Sequence, residues 1–129
     1  MIHPTRRAMS LALALSWASM LAHNLFELPL TPLDVENSGP LVVDVLLAAA
    51  FALRPSSRVI ILPIAIWAFL NLVVGGIITV LPLTILPFVP EQTIGHYLAH
   101  VVYALGQVPL VLLSTTALKP SGATRPELP

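Results

Sequence analysis

Apolar residues in this chain fall in four blocks, separated by short polar or proline-rich stretches. The first runs from about Ala8 to Leu28, behind the basic start HPTRR. A basic start and an apolar run also describe a secretory signal. This run is long, however, and lacks a small-x-small cleavage site around Met20–Ala22, so an uncleaved first span is predicted. The stretch PLTPLDVENSGP (29–40) reads as a loop, because three prolines, a glycine and the polar cluster DVENS break a helix. Ser38 is placed to cap the next helix, with Gly39 and Pro40 in its first turn.

The second block covers about Leu41 to Arg54 and reaches only about 21 Å as a helix. Taken alone, it is short enough to be re-entrant. RPSSR (54–58) then makes a tight turn into the third block, Val59 to about Leu81, with Pro63 near its start where a missing donor costs least. LPLTILPFVPEQ (81–92) carries three prolines in an apolar setting and is expected to fold at the membrane surface. The fourth block runs from about Thr93 to Leu118, and Gly106 and Pro109 lie close enough together to form a kink or hinge. The remainder, 119–129, is a polar, proline-rich tail expected to be disordered.

The length of these blocks matters because a hydrocarbon core of about 30 Å takes roughly 20 helical residues to cross. Composition agrees: 57% of the 129 residues are hydrophobic and 9% charged, too few polar groups to clothe a soluble domain. All six basic residues (Arg6, Arg7, Arg54, Arg58, Lys119, Arg125) fall on one side if every block crosses. A re-entrant second block would scatter them. The positive-inside rule makes that side cytoplasmic. The expected fold is therefore all-α: a four-span transmembrane helical bundle in a plasma membrane, a single domain over 1–118 with both termini cytoplasmic. Its expected partners are the lipid bilayer and other membrane subunits or further copies of itself. The absence of cysteine excludes disulfides, iron–sulfur clusters and thiolate zinc sites. No basic tract or phosphate loop points to nucleic acid or nucleotides.

Polar residues within the spans carry the chemistry, since such groups are expensive in lipid and face the bundle interior. In the first block Ala12, Ser16, Ser19, His23 and Glu27 share one helical stripe. In the fourth, Thr93, His96, His100, Tyr103, Gln107 and Ser114 share another. Counting from Arg7 and from Lys119 puts His23 and His100 both roughly 24–28 Å from the cytoplasmic charges. In antiparallel helices His23 then stands level with His100, and Glu27 with His96. Asp44 and Asn71 bring polar groups from the other two spans, somewhat deeper.

Three readings fit this set. The pairs His23-x-x-x-Glu27 and His96-x-x-x-His100 offer three imidazoles and a carboxylate, which suits a transition metal better than magnesium or calcium. Glu27 is then a fourth ligand, or an acceptor that orients a ring. Haem b between His23 and His100 is a variant. Alternatively, histidines and carboxylates in lipid mark proton relays, and the group could drive proton-coupled transport of a small solute or ion, with Asp44, Asn71, Tyr103 and Gln107 as supporting or relay residues and Gly106–Pro109 as the hinge. Finally, the polar groups could simply cross-link the helices of an accessory subunit, at about 0.6–2 kcal/mol each. In that reading Asp44 is a solvated acid near the start of its helix, and Asn71 an ordinary interhelical bond.

Overall fold

The computed structural model of the chain describes residues 4–119. Most of the expected tail, with Arg125, lies outside them. Four helices long and apolar enough to cross a membrane make this a multi-pass membrane protein: α1 (Arg6–Glu27), α2 (Val35–Leu53), a third span over Arg58–Val80 that opens with α3 (Arg58–Leu70), and α4 (Ile94–Leu118). In lipid a backbone N–H or C=O has no water to turn to, so apolar segments of this length close their bonds internally as helices. Threonines start two of them. Thr5 accepts a hydrogen bond from the Ala8 N–H at 3.1 Å, and Thr93 from the His96 N–H at 3.2 Å.

The second helix begins six residues before the expected Leu41, and the 29–40 loop shrinks accordingly. Asp34 precedes its first turn, and its backbone carbonyl accepts from the N–H groups of Asn37 and Ser38 at 2.9 and 2.8 Å. Its carboxylate turns back to the Thr31 N–H, a bond that holds Asp34 below the ordinary carboxylate range. Pro40 is tolerated inside the helix because the donor it lacks would have served Glu36, an exposed residue of the first turn. This earlier start also moves Asp44 away from a helix end. It lies ten residues in and is buried, not solvated.

The third span contains a departure the sequence reading did not anticipate. After Leu70 the α-helix widens into a π-helical stretch, Asn71–Ile77, and then tightens into a 3-10 turn, Ile78–Val80. Two glycines sit in the widened part and allow α4 to approach. A methyl group on Gly75 would stand 2.5 Å from the Tyr103 hydroxyl, and one on Gly76 3.2 Å from the Ala104 side chain. π-Helical turns are rare and often lie at functional sites. Residues 81–93 then fold without regular structure at the end of the bundle.

Packing divides the bundle into two halves. Near the 54–58 turn, Met9, Leu13, Phe51, Ile61, Ile64 and Leu110 form a dry apolar core. Large apolar side chains such as Leu11, Phe26, Leu46, Phe69, Leu98 and Leu105 point outward, as helices bathed in lipid require. α1 and α4 pack antiparallel along their polar stripes, and at Gly106 they approach closely. A methyl group there would lie 2.1 Å from Ser19 Oγ and 2.2 Å from its Cβ. Gly39, by contrast, has only a Val35 methyl, 4.0 Å away. Gly106→Ala is therefore expected to cost about 1–3 kcal/mol by forcing the seam open. Gly39→Ala should be neutral or gain up to about 1 kcal/mol. Unfolding of the detergent-solubilised variants measures both.

Candidate metal centre

The α1–α4 seam brings together the four residues whose heights were matched by counting. His23 Nε2 and His100 Nε2 stand 3.1 Å apart, and Glu27 Oε2 lies 2.5 Å from His96 Nδ1. One ring nitrogen from each of His23, His96 and His100 lies within 4.8 Å of the others. The rings of His100 meet those of His23 and His96 edge to face, with centroids 4.3 and 4.6 Å apart. His100 is 4% exposed, and the side chains of His96 and Glu27 are 11% and 10% exposed.

The protonation pattern of His23 follows from a hydrogen-bond chain that ends on a group unable to donate. The Thr31 carbonyl accepts from Asn37 Nδ2 at 2.8 Å, which leaves Asn37 Oδ1 as an acceptor. Asn24 Nδ2 donates to that oxygen at 2.8 Å, so Asn24 Oδ1 must accept from His23 Nδ1 at 3.0 Å. His23 thus carries its hydrogen on Nδ1 and presents the Nε2 lone pair to the cluster. Glu27 does the same for His96, accepting from Nδ1 and leaving Nε2 for the interior. The backbone of Gly76 lies beside the His100 ring without closing a hydrogen bond to Nδ1.

Two atoms of this cluster have no partner among the described residues. His96 Nε2 and His100 Nδ1 are buried and make no hydrogen bond. Buried polar atoms are nearly always paired, so the unpartnered His96 Nε2, beside the facing Nε2 atoms of His23 and His100, points to a missing ligand. A metal ion is the natural candidate. Nitrogens bound to one zinc ion at about 2.0–2.1 Å stand about 3–3.4 Å from each other, close to the His23–His100 separation. The same closeness leaves no room for a porphyrin between those two rings. Glu27 lies in contact with His96 Nδ1, the position of an acceptor that orients a ligand.

The other expected residues divide into two groups. Tyr103 flanks the cluster, its ring centroid 5.6 Å from that of His23, and its hydroxyl donates to Asn71 Oδ1 at 2.8 Å. Asn71 in turn donates to the Trp67 carbonyl, so it ties the third span to α4 at the point where the π-helix begins. Gln107 lies about two turns below His100 and is fully buried. It accepts from Ser16 Oγ at 2.5 Å and donates to the Ser16 carbonyl and to Ser19 Oγ. Asp44 is apart from the histidines, its carboxylate held by Trp67 Nε1 at 2.7 Å. Gly106 is a close approach of α4 to Ser19 of α1, and α4 runs unbroken through Pro109.

Comparison with protein-family models, curated proteins and solved structures yields no match.

Sequence reasoning missed Asn24 and Asn37, the residues that set the His23 ring. Asn24 was visible as the neighbour of His23 in HNLFE, but nothing marked it as a partner. Asn37 stands in a stretch whose prolines and glycine predict a loop, which hides it. It is fully buried in the first turn of α2, and its carbonyl also accepts from Trp17 Nε1 at 2.9 Å. Gly75 and Gly76 carried a signal, a glycine pair within an apolar span. The chain of amides leads to a measurement. Nitrogen NMR of the metal-free protein should show His23 protonated on Nδ1. Asn37→Leu should abolish that preference and cost about 1–3 kcal/mol, because it strands the Thr31 carbonyl and Asn24 Nδ2.

Proposed function

We propose that this protein is a multi-pass plasma-membrane protein that binds one divalent transition-metal ion on His23, His96 and His100. The observation that carries the reading is the buried, unpartnered Nε2 of His96, beside a His23 ring turned to offer its Nε2 lone pair 3.1 Å from His100 Nε2. Three neutral imidazoles and no thiolate favour zinc, copper, iron or nickel over magnesium and calcium. Three histidines that leave a fourth position open are also the pattern of a reactive zinc rather than a purely structural one. Glu27 serves as the oriented acceptor behind His96 and supplies negative charge next to the ion, which lowers the cost of placing a dication in lipid. Segregation of the basic residues supports cytoplasmic termini and puts the metal in the outer half of the bilayer.

The competing readings explain the geometry less well. A proton relay needs continuous hydrogen bonds, yet His96 Nε2 has no partner, so the Glu27–His96 and His23–His100 pairs are not joined. A purely structural cross-link would leave no nitrogen unpaired. Elemental analysis of protein purified without a histidine tag should find about one metal ion per chain. His23→Ala, His96→Ala and His100→Ala should each remove it. Glu27→Gln should retain metal with affinity about 10–100-fold weaker. Metal-free protein from cells grown with ample zinc, unable to take up zinc, copper, iron or nickel in a titration, would end the proposal.

A further inference from the structure

The metal cluster forms the inner wall of a cleft of about 610 Å³, and the walls of that cleft have one sign of charge. Glu27 and Glu91 line it together with the three histidines, and no lysine or arginine does. Among the described residues the basic side chains lie at the other end of the bundle: Arg6 and Arg7 open α1, Arg54 and Arg58 flank the α2–α3 turn, and Lys119 follows α4. Carboxylates in a cleft with low-dielectric walls concentrate cations there and speed their arrival.

Glu91 belongs to the 81–93 segment, and its place is held by its neighbour. Gln92 Nε2 donates to the carbonyls of Val80, Pro90 and Glu91 at 3.3, 3.1 and 3.2 Å, and its Oε1 accepts from the Tyr97 hydroxyl. That amide fastens the loop both to the end of the third span and to the first turn of α4. Exposed Glu91 thereby has its backbone held where the residue lines the cleft. His100 lies deeper in the same cleft, buried, with its Nδ1 unpartnered.

Below the histidines the seam closes. Gln107 fills the space between α1 and α4 with its bonds to Ser16 and Ser19, and Gly106 brings the two backbones together against Ser19. Beneath that plug lie Leu13, Ile61, Ile64 and Leu110, each at most 1% exposed, with no metal-ligating side chain among them.

The geometry points to a one-ended loading mouth. Given the three-histidine metal site, the cation enters only from the side of the 81–93 loop, meets Glu91 first, transfers to His23, His96 and His100, and goes no further. Cobalt(II) is a suitable probe because its visible absorption reports nitrogen coordination directly. In detergent, Glu91→Gln should load cobalt about three- to tenfold more slowly than the unaltered protein, with weaker dependence on ionic strength and the same final absorption. In sealed vesicles that hold the protein in both orientations, added cobalt should fill only the sites whose loop side faces out. The rest should fill when detergent is added. When zinc is added outside instead, a zinc indicator trapped inside should respond no faster than in protein-free vesicles. Loading of Glu91→Gln at the unaltered rate, complete filling of sealed vesicles, or a protein-dependent indicator response would overturn the proposal while leaving the metal site intact. If the unaltered protein gives no cobalt absorption, the three-histidine site itself fails.

Discussion

Hydrocarbon offers no hydrogen bonds, so each polar side chain carried into the bilayer must be answered by another part of the same protein. In this chain most of the answers lie on one line, the contact of α1 with α4. Ser16 meets Gln107, Ser19 meets the backbone of Tyr103, His23 meets His100, and Glu27 meets His96. The pairs climb in steps of about one turn. A slip of either helix by a single turn would therefore leave several groups unpaired in lipid at once. The register of the bundle and the assembly of the cluster are consequences of the same requirement.

The seam also explains why the bundle is built from two unlike halves. One half is dry and held by shape, with Phe51, Ile61, Ile64 and Leu110 filling the space between helices. The other is polar and depends on glycine at its close approaches, because Gly75, Gly76 and Gly106 let backbone and hydroxyl groups come near enough to pair. Interhelical hydrogen bonds in membranes contribute only about 0.6–2 kcal/mol each. The dry half therefore supplies a rigid base from which the polar half can be held open as a cleft.

Much of the fold, and the heart of the candidate site, was legible in the residues. Blocks of apolar residues gave the spans because lipid allows little else, and the helical repeat with the distance to the flanking charges gave the pairing of His23 with His100 and Glu27 with His96. What could not be read depended on local competition between weak signals. Gly39 and Pro40 argue against a helix, yet the bonds of Asp34, Asn37 and Ser38 outweigh them, and with that helix turn came both buried Asn37 and the burial of Asp44. The widening of the third span was likewise invisible, since NLVVGGI reads as ordinary apolar helix until Tyr103 and Ala104 are packed against it.

That widened stretch sets where the third span can lose a residue without changing the aim of everything beyond it. An α-helix turns about 100° per residue. The widened stretch accommodates one extra residue, so a deletion between Asn71 and Ile77 would leave an ordinary helix with the following segment still aimed as before. A deletion within α3 has no such slack and would swing everything beyond it by about that angle. Gly75 and Gly76 would rotate off α4, and the chain would leave the span in a direction that carries Pro90 and Glu91 away from the histidines. Small insertions and deletions are usually harmless in loops. Here a single-residue deletion inside α3, with hydrophobicity unchanged, would uncover the cleft.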